Sequence, residues 1–128
     1  MGLVHADIKL DNPKGGAAAV STQALVDTGA LHLRIPQSVS RQLNLAAERV
    51  RRVTFADGRS MEAPYVGPVR VEVAGRTCFV GAMVFGEEVL LGAIPMEDLD
   101  LVVDPARQQV VPRDPRGPTS LAKGSRAA

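Results

Sequence analysis

The sequence contains no tryptophan and a single cysteine, and aromatic residues make up only 3% of its 128 residues. One cysteine forms no intramolecular disulfide, and zinc sites built from several cysteines are excluded with it. Few aromatic side chains are present on which nucleic-acid bases could stack. The 15 basic and 14 acidic residues give a net charge of +1, far from the basic excess typical of proteins that bind nucleic acids. We therefore expect no nucleic-acid partner.

Long hydrophobic runs are absent as well. No run approaches the roughly 20 residues that a membrane-spanning helix needs, and the opening MGLVHADIKL has neither the basic nor the apolar region of a signal peptide. We therefore expect a cytoplasmic protein without a membrane partner. The length suits one domain, which we place at residues 1–112. Residues 113–128 are rich in proline, glycine, serine, alanine and basic residues, and a disordered tail is expected there.

Short, valine-rich segments separated by turn residues dominate the rest of the sequence. They predict strands at residues 20–26, 50–55, 69–73 and 77–85. Residues 69–73 alternate strictly between valine and a charged residue, as half-buried strands do. Asp57-Gly58 predicts a tight hairpin turn, since both residues tolerate positive φ. This spacing of strands, glycines and prolines favours a small closed or sandwiched all-β domain.

Two short helices are predicted among the strands. The first follows Ile35-Pro36, with proline in the first helical position, and extends to Leu45 with one apolar stripe. The second covers residues 95–99. It is followed by strands at residues 101–103 and, after a turn at Asp104-Pro105, at residues 108–111.

The residues most suggestive of chemistry are Asp27, Thr28 and Gly29, which directly follow the apolar pair Leu25-Val26. An aspartate at the end of an apolar strand loses hydration unless hydrogen-bond donors compensate its charge. Thr28 offers a hydroxyl, and Gly29 offers a backbone that donors can approach closely. The same three residues are also ordinary choices for an Asx-type turn that ends a strand. Both interpretations stay open on these residues alone.

A second pattern lies at Leu90-Leu91-Gly92, directly before the second predicted helix. Alone, it is typical of a buried strand that ends at a glycine. Together with Leu-Val-Asp-Thr-Gly-Ala at residues 25–30, it resembles the retropepsin family, the single-domain aspartic peptidases of retroviral type and their bacterial relatives. The order of acid loop, helix, hairpin, strands and hydrophobic-hydrophobic-Gly motif fits that family over about residues 4–112.

This resemblance implies an all-β, closed retropepsin-like barrel with two short helices that acts as a homodimer and needs no cofactor. Each subunit of such a peptidase supplies one carboxylate, here Asp27. The two carboxyl groups share one proton, because ionising both at short distance is unfavourable. Together they activate a water molecule that attacks a peptide bond.

The family also implies roles for the neighbouring residues. Thr28 would link the two acid loops across the dimer axis, and Gly29 would present its N–H near the carboxylates. Ala30 is small enough for the loop to pack. Leu91 and Gly92 would lie beneath the loop, where glycine permits close backbone approach.

The hairpin around Asp57 stands where the family has its flap, a lid that closes over the substrate. The resemblance assigns this role to Phe55, Ala56, Asp57, Gly58 and Arg59, and an ordinary surface hairpin is the alternative. An extended peptide would bind between flap and barrel. Candidates near this cleft are Leu31, Leu33, Ala56, Met61 and Ile94. The sequence departs from viral members in having one glycine in the hairpin, and Ala93 where they have an arginine that braces the dimer.

Three other residues attract attention as metal ligands or nucleophiles. His5, His32 and Cys78 have no metal-ligand spacing, so no metal site is predicted. Cys78 lies among Thr77, Phe79 and Val80, where a small buried hydrophobic residue is expected rather than a nucleophile. The acidic residues near the second helix lack calcium-loop spacing and are interpreted as helix caps and surface charges.

The sequence therefore predicts an aspartic endopeptidase that hydrolyses peptides as a homodimer. One alternative is a dimeric peptide-binding or regulatory module of the same fold that cleaves little. A second alternative is a chain that is monomeric in isolation and active only when concentrated or fused to a partner. The first and last strands, near residues 4–10 and 108–111, are candidates for pairing between subunits.

Overall fold

The structure is a computed structural model, which describes residues 3–116. Strands and two short helices follow one another along the chain. They are β1 (Val4–Asp11), β2 (Val20–Val26), β3 (Leu33–Ile35), α1 (Gln37–Gln42), β4 (Ala47–Thr54), β5 (Ser60–Val73), β6 (Arg76–Val84), β7 (Val89–Leu91), α2 (Ala93–Leu99), β8 (Leu101–Asp104) and β9 (Gln109–Pro112).

Six strands close into a barrel in the order β1-β2-β7-β3-β6-β5, and β5 returns to β1 through three antiparallel residue pairs. Strands β2 and β7 are parallel, as are β3 and β6. Strand β4 extends the sheet beyond β5, and β8 and β9 form a separate two-stranded sheet. The predicted all-β barrel with two helices is confirmed.

Strand β5 is much longer than the strand predicted at residues 69–73. The prediction was too short because Pro64 and Gly67-Pro68 resemble strand breakers. In the structure Pro64 is exposed and pairs with Val50 in the ladder to β4. Gly67 and Pro68 fall where the register to β6 shifts, so they form an irregularity within the strand and do not end it. The first half of β5 therefore builds a hairpin with β4, and the second half belongs to the barrel.

The inward side chains of the barrel form one apolar core. Val69, Val71 and Val73 are buried while Arg70 and Glu72 are not, as the predicted alternation requires. The largest fully buried side chains are Leu10, Leu33, Ile35, Leu43, Leu91, Leu99, Val69, Val71 and Pro95. Each large apolar side chain buried in this way contributes about 1.5–3 kcal/mol relative to an exposed position.

Both helices differ from their predicted limits. Helix α1 begins after Pro36, which serves as its N-cap with φ −65°. It ends at Gln42, with Leu43 as its C-cap, rather than extending to Leu45. Asn44, with φ 55°, turns the chain away in the left-handed region. Helix α2 begins two residues earlier than predicted, because Pro95 lies in its first turn, where a missing N–H costs no intrahelical hydrogen bond.

The hairpin turn between β4 and β5 also differs from the two-residue turn that was predicted. Of Asp57 and Gly58, only Gly58 has positive φ, at 90°. The Gly58 N–H donates to the Phe55 carbonyl at 2.9 Å, and the Phe55 N–H donates to the Arg59 carbonyl at 2.8 Å. The turn is therefore a three-residue loop in which glycine takes the left-handed position.

The chain beyond β9 packs against the domain. The buried guanidinium of Arg76 donates to the carbonyl oxygens of Leu99, Asp100 and Asp114. Arg113 forms a two-point ion pair with the Asp100 carboxylate. Arg113 and Asp114 of the predicted tail are thus in contact with the domain, and residues 117–128 of that tail lie outside the described residues.

Candidate active site

Strand β2 brings Asp27 to the surface at one end of the barrel. The Asp27 N–H donates to the Leu91 carbonyl at 3.0 Å, which fixes the residue beside strand β7. Its carboxylate Oδ1 accepts a hydrogen bond from the Gly29 N–H at 2.9 Å, and the Ala30 N–H donates to the Asp27 carbonyl at 3.1 Å. The loop is therefore an Asx turn, and this turn holds an exposed carboxylate in a defined orientation.

The Leu90-Leu91-Gly92 segment lies directly against this loop. Strand β7 runs parallel to β2, with Leu90 beside Leu25 and Leu91 beside Val26. After Gly92 the chain continues the contact, because the Ala93 N–H donates to the Ala30 carbonyl at 2.8 Å. The Ile94 N–H likewise donates to the Leu31 carbonyl at 2.9 Å. The two motifs identified in the sequence are thus one structural unit.

Gly92 has no room for a side chain. A Cβ atom there would lie 2.4 Å from the His32 carbonyl oxygen, 2.9 Å from the Ala30 carbonyl oxygen and 2.9 Å from the Leu31 carbonyl carbon. All three atoms belong to the backbone, so no side-chain rotation relieves the overlap. Close packing, rather than backbone conformation, requires glycine here, since its φ of −91° suits any residue.

The tip of the β4–β5 hairpin is exposed, and its five predicted flap residues, Phe55, Ala56, Asp57, Gly58 and Arg59, all lie at the surface. Arg59 pairs with Asp57 at 2.7 Å within the tip. The Phe55 ring packs edge-on against the Phe85 ring, with 6.2 Å between centroids. This contact joins the tip to the end of β6. In the described part of the chain, no hydrogen bond or ring contact joins the tip to residues 27–30.

One row of side chains crosses the outer face of the barrel. Strand registers place its members side by side on neighbouring strands, from β2 to β7, β3, β6 and β5. We call it the outer-face row, and its members are Leu25, Leu90, Arg34, Met83 and Tyr65. Asp27 follows Leu25 by two residues, so it continues the same face of β2 just beyond the strand.

The outer-face row corrects one cleft candidate. Leu33 is fully buried in the core, whereas Leu31, Met61 and Ile94 are 60%, 40% and 40% exposed. Because Leu33 points inward, its neighbour Arg34 takes the outer position. Arg34 was missed in the sequence, although the alternation of Leu33 and Ile35 around it was visible there.

The Tyr65 ring contacts two side chains, His32 and Arg51, and the sequence indicated neither contact. Its ring lies edge-on to the His32 imidazole, with 5.7 Å between centroids, and the Arg51 guanidinium carbon lies 4.2 Å from its centre. Burial and the nearby Arg51 charge lower the pKa of His32, which favours the neutral imidazole. Across residues 3–116 the structure brings no three His, Cys, Asp or Glu side chains together as a metal site.

The Cys78 thiol is buried in the core. Burial, and to a smaller extent the nearby Asp98 charge, raises its pKa to about 12. We expect the native protein to resist a thiol-specific alkylating reagent at pH 8. Because the thiolate is the reactive form, labelling should be slower than for an ordinary cysteine by about three orders of magnitude. Mass spectrometry of timed samples measures the rate, and protein unfolded in urea is the control. Rapid labelling of the folded protein would contradict this prediction.

The fold and the paired motifs define a retropepsin-like barrel with an acid loop. A family model described as aspartyl protease matches residues 14–117, and that family is part of the retropepsin-like clan. The match covers most of the chain, and the protein therefore belongs to this aspartyl protease family. No curated protein matches the sequence. None of the helices in residues 3–116 has the length and apolar character to span a bilayer.

Proposed function

We propose that the protein is a homodimeric aspartic endopeptidase in which Asp27 of each subunit provides one of two catalytic carboxyl groups. The observation that carries this proposal is the exposed Asp27 carboxylate, oriented by the Gly29 N–H in a loop that is hydrogen-bonded to the Gly92 segment. The family supports a peptidase in general, and the loop geometry supports Asp27 as the reacting group.

One chain carries only half of the groups that the reaction needs. Hydrolysis requires a base to take a proton from water and an acid to protonate the peptide carbonyl oxygen. One carboxyl group cannot be ionised and protonated at once, whereas two that share a proton can. The ionised group would accept a proton from water as the water oxygen attacks the carbonyl carbon. The protonated group would donate to the carbonyl oxygen. Proton transfer to the amide nitrogen then allows the C–N bond to break.

Exposed apolar side chains beside the acid loop support pairing of two subunits. Leu31, Ile94 and Val102, which we call the apolar rim, are 60%, 40% and 40% exposed. Ile94 is hydrogen-bonded to Leu31 through the backbone, and Val102 borders a groove of about 310 Å³ that Thr28 also lines. A twofold-related subunit would bury the apolar rim and bring a second Asp27 to the first. Contacts of this kind would substitute for an arginine at the Ala93 position.

We expect Leu31→Glu and Ile94→Glu to weaken the dimer. Each places a charge where the proposed interface is apolar, so the association constant should fall about 30-fold or more. Sedimentation over a concentration series measures the association, and peptide cleavage should decline with it. Val50→Glu is the matched control, because Val50 is 59% exposed on the hairpin and lies outside the apolar rim. Unchanged association in both rim variants would contradict the proposed interface.

The shared site is tested by mixing wild-type protein with Asp27→Asn protein. The amount of wild-type protein is held constant, and a mixed dimer has only one of the two Asp27 carboxyl groups. If subunits exchange at random, an equal amount of the variant should leave about half of the wild-type activity, and a ninefold excess about one tenth. Monomeric catalysis would leave the activity unchanged at every ratio. A dilution series on the wild type alone would distinguish a stable dimer from a chain that is active only when concentrated. Pairing of terminal strands between subunits stays a prediction.

A further inference from the structure

Two arginines of the barrel and hairpin have no acidic partner among the described side chains although they are partly buried. Six other arginines form ion pairs with aspartates: Arg59, Arg70, Arg76, Arg107, Arg113 and Arg116. Arg34 and Arg51 do not, and within residues 3–116 the buried Nε atom of each has no hydrogen-bond acceptor. Each cation has therefore lost part of its hydration without gaining a countercharge, which favours binding of an anion.

Aromatic rings hold both guanidinium groups in place. The Arg34 guanidinium carbon lies 5.2 Å from the centre of the Phe85 ring, and that of Arg51 lies 4.2 Å from the centre of the Tyr65 ring. Such contacts restrict the planar group while its outer N–H donors can still reach a partner. A carboxylate matches those donors well, because it accepts two parallel hydrogen bonds from one guanidinium.

Both arginines lie on the face of the barrel and hairpin to which we assign the substrate. Arg34 lies in the outer-face row beside Leu90, and its ring partner Phe85 contacts Phe55 of the hairpin tip. Arg51 lies on hairpin strand β4, opposite the buried Ala63, with its guanidinium over Tyr65 of the same row. The next residue, Arg52, is exposed and points to the opposite side of the hairpin.

The part of the chain that contains Arg34 and Arg51 has a net positive charge. Residues 31–66, which include the β4–β5 hairpin, contain six arginines and three acidic residues, a net charge of +3 in a chain whose total is +1. The acidic residues are concentrated elsewhere: residues 87–104 contain six of them and no lysine or arginine. The hairpin and the neighbouring part of the barrel are thus positively charged relative to the rest of the protein, and they would attract negatively charged peptide segments.

We propose that Arg34 and Arg51 bind acidic side chains of the substrate, so that the enzyme selects peptides with aspartate or glutamate close to the cleaved bond. Arg34 would bind such a side chain from the outer-face row of the barrel, and Arg51 would bind one from the hairpin. The proposal rests on the proposed peptidase function, and it adds the substrate class and two specificity-determining residues to it.

The test measures cleavage of matched peptides that differ only in charge. Wild-type protein first digests a mixed peptide library, and mass spectrometry reads the residues around each cleaved bond. Aspartate and glutamate should be enriched there. Peptide pairs with glutamate or glutamine at the enriched position are then compared by kcat/KM, and the glutamate peptide should be cleaved about 10- to 100-fold faster.

The variants Arg34→Met and Arg51→Met should each reduce this preference about tenfold or more by slowing cleavage of the glutamate peptide alone. The ratio of two peptides in one preparation does not depend on how much protein is folded. Arg34→Lys keeps the charge but loses the planar donors, so it should keep part of the preference. Arg52→Met is the matched control and should leave the ratio unchanged.

Each outcome separates this proposal from the proposed function. Cleavage that requires Asp27 but shows no preference for acidic residues would overturn the substrate class and leave the peptidase standing. Equal slowing of both peptides in the arginine variants would show that these side chains only support the aromatic rings. Absence of any cleavage by the wild type would overturn both proposals.

Discussion

Asp27→Asn should abolish peptide cleavage while the fold stays intact. The asparagine side-chain oxygen can still accept the Gly29 N–H, so the loop hydrogen bond that Oδ1 makes at 2.9 Å is retained. The amide cannot take a proton from water at neutral pH, and a symmetric dimer would lose both carboxyl groups at once. We expect kcat/KM to fall by about 10²–10⁴-fold, the range for loss of general acid–base catalysis.

Cleavage of one peptide identified with the wild type gives the rate, and urea unfolding gives the stability, which should change by less than about 0.5 kcal/mol. Asp7→Asn is the matched control, since Asp7 is also exposed and its Oδ1 also accepts a hydrogen bond, from Gln23. Undiminished cleavage in the Asp27 variant would contradict the mechanism. Tight peptide binding by the wild type without cleavage would instead favour the peptide-binding module.

The wild-type rate should also rise and then fall with increasing pH. Two carboxyl groups that share a proton lose their protons in separate steps, and only the singly protonated pair contains both acid and base. A rate that depends on one ionisation alone would argue against a shared pair. This profile is therefore part of the same test as the Asp27 variant.

Gly92→Ala should destabilise the protein by about 3 kcal/mol or more. The added methyl group would overlap the His32 carbonyl oxygen at 2.4 Å, and the neighbouring backbone atoms leave no direction in which to move. The same backbone carries the hydrogen bonds from Ala93 and Ile94 that hold the acid loop, so activity should be lost with stability. Urea unfolding measures the free energy of unfolding.

Gly15→Ala is the control for this variant. No atom lies within 4 Å of a Cβ at Gly15, although its φ of 80° is in the left-handed region. Alanine there should cost about 1 kcal/mol through backbone conformation alone, with cleavage maintained. Similar stability losses in the two variants would show that close packing at Gly92 has little effect.

Local patterns predicted the short strands and the acid loop well, because each depends on neighbours in the chain, whereas the closed barrel followed from the resemblance to a known family. The valine alternation at residues 69–73 directly indicates which side chains enter the core, and Asp27 to Ala30 form a turn with their own backbone. The Leu90-Leu91-Gly92 motif alone indicates only a buried strand that ends at a glycine. The resemblance to a known family was needed to predict that this motif lies beside the acid loop. The family model at residues 14–117 supports the same fold.

Features that depend on strand register were beyond local patterns. Pro64 and Gly67 look like strand ends, yet ladder pairing on both sides keeps β5 continuous. The contact of Arg51 with Tyr65, and of Tyr65 with His32, joins residues on three different strands or loops. Leu33 and Arg34 were distinguishable by alternation, but only the closed sheet shows which side is the core.

The length of β5 has a mechanical consequence for the hairpin. Residues 60–64 pair with β4 alone, and Tyr65 and Val66 pair with both β4 and β6. Residues 69–73 pair with β6, and residues 70–72 pair with β1 as well. Bending the outer part therefore disturbs one ladder, while bending the inner part would open the barrel wall. The base of the hairpin is thus fixed in the barrel wall, and the outer part, which begins beside Tyr65, can bend without opening the barrel.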